Sequence, residues 1–465
     1  MKKFLACLMI MILCGVSVLA EGAATEPEQY TAGKYTYILL DDGTIEIVKC
    51  SDKGVRINVP EKLKKKTVTR IGAGAFEGRT AVKNISIPDT ITHIGDRAFA
   101  GCTELTGITI PDSVLSVGEG IFSGCSALTE IVVSPEHPVL EFKDGVLFDK
   151  QRKCLLMDMN VSGRTSYEIP EGTLAIGGGL FAGCTGLTSV TIPSSVTSIG
   201  ASAFSGCTGL TSVTIPSSVT SIGKNAFYKA TGLRSVSLSD ALVSIGDGAF
   251  FSCTALGEIT FPSSLTSIGA NAFKGCTGLK SVVIPDSVTF IGESAFSNCS
   301  SVRSVTLPQG LTAIEKNAFA SCKGLETMVI PDSVTTIGDG AFALCMLEEV
   351  TLPASLVSIG ASAFESCGFL LSIKLPSSVE TIGNWAFKGC TLMQIAQIPA
   401  SVTFIGENSF QKCYNLTIYA EQGSYAADYA REKGIGVVYV EPEEEQQEEK
   451  GKGKGKSSFL DWLLG

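Results

Sequence analysis

The sequence is poor in the side chains on which most catalytic and metal centres depend. Its 465 residues include only two histidines, His93 and His137, and two tryptophans. A metal site needs clustered histidine, cysteine or carboxylate ligands, and two separated histidines do not provide such a cluster. The chain also lacks H-E-x-x-H, C-x-x-C and G-x-S-x-G motifs. We therefore expect no enzyme and no bound metal or cofactor.

Charged residues and long apolar runs are scarce as well. Charged residues make up 18% of the chain, the net charge is −10 and the pI is about 5.0, which argues against a nucleic-acid partner. Beyond residue 20, no apolar run is long enough to span a membrane. Apolar residues nevertheless reach 45% and are accompanied by 50 glycines. This combination suits a β-rich solenoid with many tight turns.

The first twenty residues have the organisation of a secretory signal peptide. Two lysines precede an apolar run, and a Val-Leu-Ala sequence stands before the predicted cleavage site at Glu21. Lipid attachment at Cys14 is not favoured, because the bulky Leu13 stands where a small residue is needed. We expect residues 1–20 to be removed and the mature protein to be secreted or displayed on the cell surface.

A 23-residue unit repeats along most of the chain. Residues 193–215 read PSSVTSIGASAFSGCTGLTSVTI, and the next copy begins at Pro216. Most steps between the marker phenylalanines are 23 residues, but one is 22 and another is 59, which is two repeats plus 13. The fourteen marker phenylalanines are Phe76, Phe99, Phe122, Phe181, Phe204, Phe227, Phe250, Phe273, Phe296, Phe319, Phe342, Phe364, Phe387 and Phe410.

Each position of the unit has a structural role in the predicted coil. Leu210, Val213 and Ile215 are spaced so that their side chains face inward from a strand. Pro216 ends this strand, because proline has no N–H for a parallel ladder. We expect Gly223 to adopt a positive φ and the following Ala-Phe corner to be helical. One copy cannot bury its apolar residues alone, whereas stacked copies can.

The pattern L-x-x-V-x-I-P…I-G-x-x-A-F-x-x-C resembles the BspA-like class of leucine-rich repeats over residues 67–418. That resemblance implies a surface protein of a bacterium or protist, associated with attachment and host contact. The chain differs from common leucine-rich repeats because Ser218 and its equivalents replace the asparagine ladder. The predicted fold is a β-rich leucine-rich-repeat solenoid of stacked 23-residue coils with a parallel sheet, capped at both ends.

Four regions differ from the regular repeats. Residues 21–66 contain two β-rich runs around Asp42-Gly43, which predict a hairpin cap. An insertion near residues 134–163 contains a similar unit and is expected to bulge without breaking the solenoid. Residues 419–440 predict a C-terminal cap with a short helix. Residues 441–465 form a charged tail with an apolar end, expected to be disordered. This tail either has no specific role or is a docking peptide for an envelope component or the export machinery.

Most cysteines follow the repeat. Twelve of the sixteen stand three residues after a marker phenylalanine, and Ala230 fills that slot in one copy. This period indicates a buried ladder of small apolar thiols rather than disulfides. Cys50 and Cys154 lie outside the ladder and are the candidates for a redox-active pair.

The outward strand positions provide the candidate binding surface. They are mostly threonine or serine, and charged residues appear among them in the later coils. One interpretation is a solvated β face, on which threonine has good strand propensity. The other is an extended polar contact surface of the kind that solenoids use. The candidate partner-binding face comprises Glu258, Lys280, Arg303, Glu326, Glu348 and Lys374.

The expected function is that of an exported, adhesin-like interaction protein. The solenoid face would bind host matrix proteins or the cell-surface proteins of host or neighbouring cells, and display of many copies would compensate for weak single-site affinity. The adhesive role is implied by the family resemblance. The alternative is a structural envelope-associated scaffold without a host ligand, whose solenoid spaces the tail from its anchor. An enzyme would need a site within residues 144–158, where the charged side chains show no catalytic pairing.

Overall fold

The computed structural model describes residues 27–161 and 163–441. The predicted signal peptide and nearly all of the charged tail therefore lie outside the described residues. The described chain is a solenoid of about 17 stacked turns of roughly 23 residues. This number exceeds the fourteen predicted copies because the caps and the insertion contribute turns without a marker phenylalanine.

Nearly every turn contributes one short strand to a surface that we call the strand face. Val213 is buried between the exposed Ser212 and Thr214, and it lies opposite Val236 in a parallel pair. The strands of this face are Arg56–Asn58, Asn84–Ser86, Gly107–Ile110, Glu130–Val133, Ser166–Glu168, Ser189–Thr191, Ser212–Thr214, Ser235–Ser237, Ser281–Val283, Ser304–Thr306, Thr327–Val329, Glu349–Thr351, Ser372–Lys374, Ile395–Gln397, Thr417–Glu421 and Gly436–Val440.

A second strand carries the chain back on the opposite side, which we call the return face. Its buried isoleucines stack in register, with Ile199 opposite Ile222. The strands of this face are Lys66–Ile71, His93–Ile94, Ser116–Val117, Ala175–Ile176, Ser198–Ile199, Ser221–Ile222, Ser244–Ile245, Ser267–Ile268, Phe290–Ile291, Ala313–Ile314, Thr336–Ile337, Ser358–Ile359, Thr381–Ile382 and Phe404–Ile405.

The glycine after each return strand is required by close approach between turns. At Gly223, a Cβ atom would lie 2.7 Å from the carbonyl carbon of Gly200 in the preceding turn. The φ of Gly223 is not in the left-handed region, so the predicted positive φ is wrong. Positive φ values occur instead two residues before and two residues after the marker phenylalanine, as at Asn225 and Lys229 around Phe227.

The corner that holds the phenylalanine is a run of turns, so the predicted helical corner is also wrong. The two positive φ values interrupt any helical repeat, and the corner N–H groups bond to the next turn. The N–H of Phe227 donates to the carbonyl of Ala249 at 2.7 Å. We call these bonds between successive corners the corner ladder. Inside it the buried rings stack, with centroid distances from 4.9 Å to 5.7 Å.

Both ends of the stack are capped. At the N-terminal end, Gln29–Ala32, Tyr35–Leu39 and Ile45–Cys50 form an antiparallel meander. The third strand then pairs in parallel with Lys66–Ile71 of the first turn, and Lys62–Leu63 pairs antiparallel with that same strand. This arrangement covers a sheet edge that would otherwise be open.

The C-terminal cap contains helix α1, Tyr425–Lys433, and confirms the short helix predicted there. The hydroxyl of Ser424 accepts the N–H of Ala427 as an N-cap, and the helix ends at Gly434 with φ 67°. Tyr429 is buried and meets the ring of Phe410 edge-on at 6.3 Å. The helix therefore closes the last turn of the core.

The insertion enters the stack, contrary to the expectation that it would bulge without breaking the solenoid. Leu140–Lys143, Val146–Asp149 and Cys154–Asp158 form an antiparallel meander, and the third strand pairs in parallel with Ala175–Ile176. The buried core accordingly divides into two clusters that meet at this meander. The reason is that the chain between the Phe122 and Phe181 turns builds a hairpin and no corner.

Candidate partner-binding surface

The structure brings four of the six predicted face residues together. Lys280, Arg303, Glu326 and Glu348 are exposed and occupy one slot in four successive turns. The N–H of Arg303 donates to the carbonyl of Lys280 at 2.9 Å, and that of Glu348 to the carbonyl of Glu326 at 2.7 Å. These four residues form a row on the strand face, which we call the charged row.

The charged row is divided by sign. Its first two members are basic and its last two are acidic, so positive and negative charge occupy opposite ends. Arg234 occupies the same slot two turns earlier, where its N–H donates to the carbonyl of Thr211 at 2.8 Å, and it extends the basic end. Segregated charges of this kind favour one orientation of a partner over the reverse.

The other two predicted face residues lie off this row. Glu258 is exposed but belongs to no strand of the face, and it forms only an isolated bridge with Ser235. Lys374 ends its strand and lies opposite Gln397, in a different slot of the repeat. The six residues are therefore not one cluster.

Sequence reasoning missed an exposed apolar row next to the acidic end of the charged row. Met346, Phe369, Leu392 and Tyr414 occur once in each of the last four phenylalanine-bearing turns, with exposed fractions of 45%, 47%, 46% and 74%. We call these four residues the apolar stripe. Leu371, 49% exposed, occupies the charged-row slot in the turn after Glu348. Met346, Phe369 and Leu392 directly precede the buried residue of their turn, and Tyr414 stands one position earlier in its turn. Scattered apolar residues are ordinary on protein surfaces, but large exposed ones in four successive turns mark a candidate interaction site.

A departure from the repeat consensus is the sequence signal for the apolar stripe. Regular copies read C-T-G-L after the corner, whereas these four turns read C-M-L, C-G-F-L, C-T-L-M and C-Y-N-L. Small or polar residues are thus replaced by large apolar ones at exposed positions, while the buried leucine or methionine is kept. The one-residue deletion falls in the first of these turns.

The cysteine ladder consists of free thiols, as predicted, and all of its members are buried except Cys184 and Cys413, which are half-buried. All fourteen described cysteines are free. Within the described residues, every ladder thiol except that of Cys184 donates to a phenylalanine carbonyl of the preceding turn, as Cys276 Sγ does to Phe250 O at 3.0 Å. Burial raises the pKa of Cys207 to about 12. The thiolate is the reactive form of cysteine, so the ladder has a packing role.

The prediction that Cys50 and Cys154 form a redox-active pair is wrong. Both are free and buried, and they end and begin strands in different parts of the stack. Burial raises the pKa of Cys154 to about 12. These properties are those of structural thiols and not of reactive ones.

The described part of the chain contains no group of three or more histidine, cysteine or carboxylate side chains that could hold a metal ion. His137 is buried, and its Nδ1 accepts the N–H groups of Val139 and Leu140. Its burial lowers its pKa, and its contacts are those of a turn-forming residue. Among the described residues, no helix has the length and apolar character needed to cross a membrane.

The solenoid is similar to known repeat proteins. The family model described as "BspA type Leucine rich repeat region" matches residues 57–150, 174–303 and 289–417 in six copies. A leucine-rich repeat protein from Bacteroides ovatus is 30% identical with a TM-score of 0.50, over 89% of this chain and 100% of that chain. A leucine rich cell surface protein from Faecalibacterium prausnitzii is 27% identical with a TM-score of 0.36, over 90% and 100%.

A third solved structure, a leucine-rich repeat protein from Eubacterium ventriosum, is 23% identical with a TM-score of 0.42, over 68% of this chain and 93% of that chain. Among curated proteins, no sequence match was found. The family matches cover well over half of the chain and are interrupted between residues 150 and 174, where the insertion meets the next turn. The protein belongs to the BspA-type leucine-rich-repeat family.

Proposed function

We propose that the protein is exported and acts at the cell surface as an adhesin-like protein. It binds protein partners of a host or a neighbouring cell through the strand face of its later turns. The observation that carries this proposal is the apolar stripe beside the acidic end of the charged row. The signal-peptide pattern of residues 1–20 and the description of the F. prausnitzii relative as a cell surface protein support export.

The chemistry of this surface suits a protein partner. Methionine and aromatic residues are enriched where proteins bind each other, and Phe369 and Tyr414 are the aromatic anchors of the stripe. Turns stacked at about 4.8 Å present these side chains at regular intervals next to the charged row. The apolar stripe contributes buried area, while the charges steer and orient the partner. Display of many copies multiplies the effect of each contact.

The first test removes charge from the row. We expect the combined substitutions Lys280→Ala, Arg303→Ala and Glu326→Ala to weaken binding to immobilised cell-derived extracellular matrix by roughly tenfold, mainly through slower association. The reason is that all three side chains are exposed on the strand face and contribute charge rather than packing. Surface plasmon resonance at two salt concentrations measures the change.

A matched triple change on the return face is the control. Thr266, Thr289 and Thr335 share one exposed slot of the repeat, and replacement by valine keeps their shape. The control variant should bind like the unmodified protein. Equal loss from both triples, or loss from the return-face triple alone, would refute the assignment of the strand face.

The alternative function is a structural envelope-associated scaffold without a host ligand. In that case the tail, residues 441–465, would be responsible for all association. Deleting those residues separates the two functions, because the strand face remains intact in the shortened protein. Retained matrix binding supports the adhesin-like function, whereas complete loss supports the scaffold.

A further inference from the structure

A cleft separates the two halves of the solenoid, away from the charged row and the apolar stripe. It encloses about 510 Å³ between the corner of the Phe122 turn and that of the Phe181 turn. Leu156 and Val161, from the end of the insertion, line it together with the small residues of the two corners. Its volume lies in the range of ordinary ligand sites.

The corner ladder is interrupted at this cleft. On either side of it the ladder is intact, since the N–H of Phe99 and that of Phe181 each donate to the next corner, at 3.0 Å and 2.8 Å. Across the cleft, within residues 27–161 and 163–441, the equivalent donors and acceptors have no hydrogen-bond partner. These groups are the N–H of Phe122, the N–H of Gly124, the carbonyl of Leu180 and the carbonyl of Ala182.

The glycines of the Phe181 turn, which forms the second side of the cleft, show how far the two corners diverge. A Cβ on Gly206 would meet the preceding turn at 3.7 Å, whereas a Cβ on Gly183 would meet nothing within 4 Å. At Gly209 a carbonyl of the preceding turn would lie 2.4 Å away, but at Gly186 the nearest heavy atom is 3.8 Å away. Backbone atoms that normally fill this space are therefore absent from it.

The environment of Cys184, in the corner of the Phe181 turn, shows the same opening. Its counterpart Cys207 donates its thiol to the carbonyl of Phe181 in the preceding turn at 3.0 Å. Within the described residues, Cys184 makes no such bond, and it is only half-buried while its counterpart is fully buried. Burial still raises the pKa of Cys184 to about 11, so it reacts slowly and in proportion to its access to solvent.

The opposite end of the cleft is closed, which fixes its shape. A Cβ on Gly179 would lie 2.5 Å from Ser123 Oγ, so the corners touch there. Glu119 also reaches across, and its Oε2 accepts the N–H of Ala201 at 3.3 Å. The two corners thus form a wedge that is held at one end and open at the Gly124 and Gly183 end.

We propose that this cleft binds a short peptide segment of a partner protein, which adopts the turn conformation of a corner and takes the place of the missing one. Free N–H groups line one wall and free carbonyls line the other, at alternate residues. Intact corners are joined in the same pattern, since the N–H groups of Phe204 and Gly206 donate to the next corner at 2.7 Å each. The glycine and alanine walls allow a backbone to approach closely. As in strand addition, recognition of this kind takes its affinity from main-chain hydrogen bonds, so it tolerates many peptide sequences.

The test uses the synthetic hexapeptide ASAFSG, which copies residues 201–206, a corner of this chain. At millimolar concentration we expect it to slow alkylation of Cys184 and hydrogen exchange at the Phe122 and Gly124 amides by roughly an order of magnitude. Exchange at the Phe99 amide, which is already bonded, should not change. Mass spectrometry of the protein with and without peptide measures both effects.

Two glycine substitutions provide the matched comparison. Gly186→Leu fills the open space and should abolish the effect of the peptide, whereas Gly257→Leu, at a glycine outside the cleft where a Cβ would meet nothing within 4 Å, should leave it intact. If Gly186→Leu lowers the melting temperature, Thr185→Trp at the rim replaces it. The charged-row triple should respond to the peptide like the unmodified protein, which separates this site from the proposed function.

Three results would overturn the proposal. The first is unchanged alkylation of Cys184 with peptide present. The second is that the peptide protects Cys184 and the two amides equally in the Gly186→Leu variant, which would mean that it binds elsewhere. The third is protection without peptide that disappears when residues 442–465 are deleted, or that grows with protein concentration, because the occupant would then be this chain's own terminus or a second copy.

Discussion

Phe273→Ala is expected to lower the free energy of unfolding by about 3–5 kcal/mol. Phe273 is fully buried, and its ring stacks at 5.2 Å on both Phe250 and Phe296. It also meets Phe261 edge-on at 5.5 Å. The substitution removes contacts to both neighbouring turns, and the cavity cannot collapse because the corner ladder fixes the backbone around it.

Phe290→Ala is the matched control, because Phe290 lies on the return face and is 49% exposed. Its effect should stay within about 0.5 kcal/mol. Urea denaturation followed by circular dichroism gives both values. Hydrogen exchange then shows whether the turns around Phe273 open first, as expected for a solenoid whose stability is local. Coincident unfolding curves for Phe273→Ala and the unmodified protein would contradict the role of the ring stack.

Alkaline solution is expected to destabilise the solenoid steeply. Burial raises the pKa of Cys253 to about 12 and that of Cys276 well above the ordinary value of 9.0. An unfolded thiol ionises near pH 9, whereas the folded thiol keeps its proton. The stabilisation is therefore fully present below pH 9 and is lost as the pH rises from there toward 12. Each buried thiol contributes about 1.4 kcal/mol per pH unit in this window. The loss summed over the thiols of a few turns therefore exceeds the net free energy of unfolding of a typical domain.

Alanine at three ladder positions isolates the thiol contribution from other titrating groups. Ala230 already occupies this slot and is fully buried, so Cys276→Ala, Cys299→Ala and Cys322→Ala should preserve the fold. Between about pH 9 and pH 10.5, the triple variant should lose stability more slowly than the unmodified protein, by about 4 kcal/mol per pH unit. Urea midpoints measured at several pH values provide the comparison. Parallel pH dependences for the two proteins would show that the ladder thiols ionise in the folded state.

The repeat pattern was sufficient to predict the stacked core. A constant 23-residue step returns each phenylalanine to the same place in the next turn, so the ring stack follows from spacing alone. The capping helix also has local signals, namely the N-cap Ser424 and the terminating Gly434. Such features depend on residues close in sequence or on strict periodicity.

The corner, the insertion and the full binding surface could not be predicted in the same way. The corner conformation is set by hydrogen bonds to the next turn, which leave no local pattern. The cleft arises because the insertion supplies a strand to the stack but no corner. The sequence shows only that 13 residues are added, and this number does not tell whether they build a corner. The apolar stripe was overlooked because Met346 and Leu392 look like isolated departures from the repeat consensus in the sequence. The structure shows that they are exposed in neighbouring turns. Glu258 and Lys374, in contrast, fall outside the charged row already by the 23-residue step of the sequence.

Hydroxyl-radical footprinting of the protein bound to cell-derived matrix tests the partner-binding surface most directly. Met346, Phe369 and Tyr414 of the apolar stripe are exposed and oxidise readily, and Phe290 and Phe404, each 49% exposed on the return face, serve as internal references. The proposed function predicts that binding lowers oxidation of the three stripe residues and leaves the two references unchanged. Protection confined to Phe290 and Phe404, or unchanged oxidation of the stripe in the bound protein, would contradict it.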